Sequence, residues 1–153
     1  MTEFEHSDTA NTELALQRYV EQFERLSEGT LDQLCQCFSS DARFKDPFND
    51  VRGTAAIRNV FAHSLSGCNE LRFEISVAAL DGSNALIEWI CVYRLRRYKP
   101  QLQRRIEGAS RVSFERCGLV SEHIDYWDPA EWVYSQVPVY GPALAWLRKK
   151  LQA

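Results

Sequence analysis

No run of apolar residues in this 153-residue chain approaches the ~20 that a helix needs to cross a bilayer. No sign of charge dominates. Eighteen Lys and Arg stand against 21 Asp and Glu, a net charge of −3. No global field therefore draws in nucleic acid or anionic lipid. There is no Gly-rich phosphate loop, no Ser-His-Asp order, no internal repeat and no low-complexity segment. Metal-ligand spacing is missing too: Cys35-Gln36-Cys37 has no second close pair and no nearby His to complete four ligands. The N-terminus is acidic and polar through Asn11, unlike a secretory signal. The five cysteines (35, 37, 68, 91 and 117) are odd in number and lie mostly in apolar patterns. They read as reduced, buried thiols in a cytoplasmic protein.

What is present fits an ordinary globule. Apolar residues make up 45% and charged residues 25%, enough for one domain with one core. Residues 1–11 read as a flexible tail. Thr12 is expected to cap a first helix with Leu16, Tyr19, Val20 and Phe23 on one face. Thr30-Leu31-Asp32-Gln33 reads as a capping box for a second helix through Leu34 and Phe38, ended by Ser39-Ser40-Asp41. Ala42 to Lys45 reads as a short strand. Gly53-Thr54 opens a third helix that Gly67 closes. Beyond it the period changes to two. Leu71 to Val77 alternates and breaks at Asp81-Gly82, a hairpin signal. Strands follow over Ala85–Tyr98, Gln103–Glu115 and Leu119–Trp127. Asp128-Pro129-Ala130-Glu131 opens a helix, and another follows over Pro142–Gln152. Helices before long hairpin-connected strands is an α+β order. The expected form is a curved antiparallel sheet, cone-shaped and wrapped on three N-terminal helices, with a tapered pocket between. The domain spans 12–128, and 129–153 forms a C-terminal helical extension.

Phe44-Lys45-Asp46-Pro47-Phe48 sets one carboxylate between aromatic rings just before a proline. Proline pushes its predecessor into an extended conformation and stiffens the turn. Asp46 is thus either a general base held still in an apolar setting or the start of a plain loop.

Several segments resemble the nuclear transport factor 2-like superfamily, which includes ketosteroid isomerases, SnoaL-like polyketide cyclases and limonene-epoxide hydrolases. Leu16-Gln17-Arg18-Tyr19-Val20, Leu31 to Pro47, and Arg52 to Arg58 through Ser64-Leu65 resemble the ketosteroid isomerase branch. Gly118 to Asp128, with His123-Ile124-Asp125-Tyr126-Trp127 inside it, resembles the SnoaL-like branch. The resemblance implies proton transfer on a small apolar or polycyclic ligand, without metal or redox cofactor. It puts the base at Asp46 and an electrophilic hydroxyl at Tyr19. The family's second donor falls at Ser110 and a supporting tyrosine at Phe61, so those two positions depart from the pattern. Asp125 is a second candidate acid. A non-catalytic ligand carrier of the same fold and an epoxide-hydrolase-like enzyme are the alternatives.

The residues admit plainer roles as well. Tyr19 sits on a buried face, where a phenol needs some partner. Asp125 alternates with His123 and Trp127 on one face and has Arg43 and Arg111 as possible ion-pair partners. His63 and His123 titrate nearest neutrality. Phe44, Trp89 and Trp127 are core first and pocket wall second. Arg94, Arg96, Arg97, Lys99, Arg104 and Arg105 read as a solvated hairpin tip. The tail Leu144 to Leu151 is amphipathic with a basic end. It is expected to pack over the cone mouth or a partner subunit, with a peripheral membrane contact as the lesser alternative. A homodimer through the sheet completes the expectation.

Overall fold

A computed structural model describes residues 3–152. In chain order its elements are α1 (Glu3–Glu24), α2 (Leu31–Cys35), β1 (Phe38–Lys45), β2 (Asp50–Arg52), α3 (Thr54–Gly67), β3 (Cys68–Asp81), β4 (Asn84–Leu95), β5 (Arg104–Phe114), β6 (Val120–Tyr126), α4 (Pro129–Trp132), a 3₁₀ turn (Tyr134–Gln136) and α5 (Tyr140–Leu151). The strands form one six-stranded sheet in the order β2-β1-β6-β5-β4-β3. The α+β architecture is the expected one, with a curved, unclosed sheet packed on the first three helices. Register shifts between Ile75 and Val77 and between Ser113 and Phe114 help to bend it.

The sheet is not wholly antiparallel, because β1 runs parallel to β6. That pairing closes the N-terminal strand onto the C-terminal one and brings Phe44 opposite His123. Two caps differ from expectation. The first helix begins at Glu3, so Thr12 lies within it. Thr30 precedes α2 but caps nothing with its side chain. Its Oγ1 accepts from Ser27 N at 2.9 Å and donates to Arg25 O at 2.6 Å, which ties off the preceding turn instead. The second helix also stops at Cys35, and Phe38 to Asp41 belong to β1. The reason is burial: Phe38 and Ala42 sit in the core, which an extended backbone reaches and another helical turn would not.

Three punctuation signals hold. Gly53 precedes α3 with φ 87°, a conformation that side-chain-bearing residues rarely adopt. Gly82 turns the β3–β4 hairpin, also at positive φ. Asp128 caps α4 by accepting from Ala130 N and Glu131 N.

Leu16, Phe23, Leu34, Ile57, Phe61 and Val112 lie at the centre of the core between helices and sheet. All five cysteines are free thiols, and Cys35, Cys37 and Cys91 are buried; Cys117 is exposed beside the Gly118 turn, contrary to expectation. The basic hairpin is not uniformly solvated, since Arg104 is buried. None of the residues in α5 is buried, and it leans on the 3₁₀ turn rather than over the cone mouth. No helix is long and apolar enough to cross a membrane among the described residues.

Candidate functional site

A cavity of about 550 Å³ opens between α3 and the inner sheet face. Strand periodicity builds its wall. Leu71 and Phe73 on β3, Trp89, Cys91, Tyr93 and Leu95 on β4, and Ile106 on β5 are inward residues at period two. Val60, Phe61, His63 and Ser64 close it from α3. Phe44, Asp46, Phe48 and Asn49 come from the end of β1 and its loop, while Asp125 and Trp127 come from β6 and just beyond. The lining is mostly apolar, with two carboxylates. Phe44, Phe61, His63, Trp89 and Trp127 are among the lining residues.

Asp125 is the better placed carboxylate. Ser110 Oγ donates to its Oδ1 at 2.5 Å, and His123 Nε2 lies 2.6 Å from the same oxygen. Trp89 Nε1 donates to Ser110 Oγ at 2.7 Å. On the other side, the Tyr19 hydroxyl meets His123 Nδ1 at 2.8 Å. Burial pushes the Tyr19 pKa well up, so the phenol keeps its proton. Assigning a ring proton to Nε2, where it donates to Asp125 Oδ1, leaves Nδ1 to accept from the Tyr19 hydroxyl. Two lines of donors, Trp89 to Ser110 and Tyr19 to His123, converge on one oxygen. Among the described residues no donor reaches Oδ2, and Asp125 faces the cavity.

His123 is held as firmly as a side chain can be. Its ring stacks between Phe23 (5.5 Å, 8°) and Phe44 (5.0 Å, 18°). It is only 2% exposed.

Three of the candidate residues lie outside the cavity wall. Tyr19 is fully buried, behind His123, and lines no part of this cavity. Ser110 and His123 also stand behind Asp125 rather than in the wall. The cause is depth, since the taper of the cone is filled by the aromatic rings around Tyr19 before it reaches them. Nor does Asp125 meet an arginine. Arg43 pairs with Asp50 at 2.8 Å and Glu122 at 3.2 Å, and Arg111 pairs with Glu122 at 2.8 Å, all on the outer face.

Asp46 lines the cavity at its rim and is occupied. Its Oδ1 accepts from Phe48 N at 2.7 Å and Asn49 N at 2.6 Å, and Asn49 Nδ2 reaches both oxygens at 3.0 Å. This is an Asx turn, and it aims Phe48 at Trp127, with ring centroids 5.4 Å apart. His63 is exposed on the opposite rim. Sequence reasoning missed Asn49 and Gly108. A glycine inside an alternating strand was the available signal for close approach: a Cβ on Gly108 would lie 2.6 Å from the Trp89 ring. No group of side chains suited to holding a metal occurs among the described residues.

Comparison with known proteins agrees with the fold. The family model of the SnoaL-like domain matches residues 16–123. A putative polyketide cyclase from Xanthomonas campestris superposes with a TM-score of 0.68 at 15% identity, covering 82% of this chain and 96% of that one. An NTF2-like protein from Anabaena variabilis gives a TM-score of 0.68 at 13% identity, covering 84% and 94%. The epoxide hydrolase/cyclase-like enzyme SalBIII, which acts in pyran ring formation in salinomycin, gives 0.66 at 19% identity, covering 77% and 94%. Such identities carry the fold and no more. No curated protein matches the chain in sequence. With the matched segment running from α1 to His123 itself, the chain belongs to the SnoaL-like domain family of the NTF2-like fold.

Proposed function

We propose that the chain is an enzyme that moves a proton on a small apolar or polycyclic ligand, with Asp125 as the proton carrier. One observation carries this reading. Asp125 faces an apolar cavity with Oδ1 held by Ser110 and His123 and Oδ2 left open. A buried carboxylate needs hydrogen bonds to stay ionised, and a base needs an uncommitted lone pair. The two oxygens divide those needs. Tyr19 then acts through His123, fixing its tautomer, rather than on the ligand. Asp46 shapes the rim by holding the turn that presents Phe48. The reaction class is isomerisation, cyclisation or hydration by proton transfer. The similar structures described as a polyketide cyclase and as an epoxide hydrolase/cyclase-like enzyme are compatible with that class. We further infer a homodimer through the outer face of the sheet.

A neutral reporter tests the base without knowledge of the substrate. Nitrobenzisoxazole opens to a coloured phenolate when a base removes its ring C–H proton. The wild-type protein should accelerate this above acetate at equal concentration, and Asp125→Asn should lower the rate by about a hundredfold or more. A rate that survives Asp125→Asn, or a wild type no faster than acetate, sinks the proposal. An equal loss in Asp46→Asn, which keeps the acceptor that the turn needs, assigns the proton to Asp46 instead.

A further inference from the structure

The arginines of the β4–β5 hairpin are not equivalent. Arg94 pairs with Glu70 at 2.7 Å, and Arg105 pairs with Glu107 at 2.7 Å. Arg96 caps the end of α3, donating to Ser66 O and Cys68 O, both at 3.0 Å. Arg104 is different. It is 6% exposed and opposes Tyr93 on the inward face of the sheet. Among the described residues no carboxylate lies within ion-pair distance of it. Its acceptors are all neutral: Gln136 Oε1 at 3.0 Å, Leu102 O at 3.2 Å and Tyr98 O at 3.3 Å.

A buried guanidinium with only neutral partners keeps most of its desolvation cost. Of its five N–H groups, three are used by those acceptors, from Nε, Nη1 and Nη2. One N–H remains on each terminal nitrogen. Two charged donors are thus left for an acidic acceptor, and a carboxylate is the acceptor that guanidinium prefers.

There is room for one. Arg104 borders a cavity of about 320 Å³ whose other walls include Tyr98, Val137 and Pro138. A second hollow that Arg104 also borders is lined by Lys99, Gln103 and Gln136, and neither lining contains an acidic residue. The first cavity shares Tyr93, Leu95 and Val133 with the cavity of Asp125. The two cavities adjoin at these three residues, so the cation and the open Oδ2 belong to neighbouring hollows.

We propose that Arg104 anchors the carboxylate of an apolar carboxylic acid whose body runs past Tyr93, Leu95 and Val133 into the cavity of Asp125, an inference that rests on the reading of that cavity as the reaction site. The anchor sets direction: the acid end stays at the hairpin, and the carbon skeleton lies across the base.

Calorimetric titration of the full chain with decanoate and with decan-1-ol separates charge from chain length. Decanoate should bind about tenfold to a hundredfold more tightly, the range of a charge-assisted hydrogen-bonded contact. Arg104→Met should erase the difference while decan-1-ol affinity stays within a few-fold. Should that variant not fold, the wild type decides. The Arg104 Nε–H signal of nitrogen-labelled protein should move with decanoate and stay put with decan-1-ol. Equal affinities, no binding of either compound, a preference that survives Arg104→Met, or an unmoved signal overturns the proposal. Nitrobenzisoxazole carries no charge, so its elimination reports on Asp125 alone. A wild type that shows no decanoate preference yet keeps its elimination activity removes the anchor and leaves the proton-transfer reading standing.

Discussion

Tyr19 illustrates how far a single hydroxyl reaches. It is fully buried, its ring meets Phe23, Phe38 and Phe114 edge-on, and its only polar contact among the described residues is His123 Nδ1. Tyr19→Phe keeps the packing and deletes the donor. The ring nitrogen is then left buried without a partner, a cost of about 1–3 kcal/mol. The urea midpoint should fall with the slope unchanged; an unaltered midpoint would show that the contact is not made. Cys91 shows the opposite case. Burial pushes its thiol up to about 12, so this cavity-wall sulfur stays neutral and serves as an apolar surface, not a nucleophile. The candidate site was readable in sequence wherever neighbours in sequence are neighbours in space. His123, Asp125 and Trp127 declared a common face by alternation, and Pro47 announced the Asp46 turn. The Tyr19–His123 pair was not readable, because 104 residues separate its members and only the parallel closure of the sheet brings β6 into the core.

At the scale of elements, β4 supplies most of the sheet wall of the cavity and β5 packs beside it. Trp89 lies across Gly108 in register, and the bare backbone there is what lets the indole lie flat and reach Ser110 Oγ. Gly108→Ala would place a methyl 2.6 Å from two carbons of that ring and 3.1 Å from Trp127 Cβ. Trp89 is buried and cannot swing aside. Overpacking of this kind costs about 1–3 kcal/mol. Thermal unfolding and tryptophan fluorescence should both shift, and a variant as stable as wild type with unchanged emission would contradict the packing. Strand positions were well anticipated because half-buried strands alternate. Helix starts were less so. Thr12 and Thr30 carry the right side chain for a cap, yet tertiary burial of Leu31, Leu34 and Phe38 decided where the second helix and the first strand meet.

The whole molecule turns a second face to the outside. Opposite the cavity, the sheet exposes Val77, Leu86 and Tyr126 among ion pairs such as Arg111–Glu122 and Arg43–Asp50. Apolar side chains ringed by charge suit association with another copy, the arrangement in which residue i meets j and j meets i. Light scattering should give twice the chain mass, and Leu86→Arg should return it to one. A wild-type monomer at micromolar concentration would exclude the sheet dimer. The α5 helix, with Trp146, Leu147 and Leu151 exposed, is separate from that face in sequence and packs on the 3₁₀ turn, whose Gln136 touches Arg104.

The convergence of donors on one oxygen of Asp125 has a geometrical consequence. A free carboxylate rotates and exchanges its two oxygens; this one is pinned, with Oδ1 fastened from two sides. On the proposed reading, a proton taken up by the substrate-facing base would sit on Oδ2. Given back by the same atom, it would return to the same side of whatever molecule lies in the cavity. Handedness in the product would then originate in a serine and a histidine that never touch it.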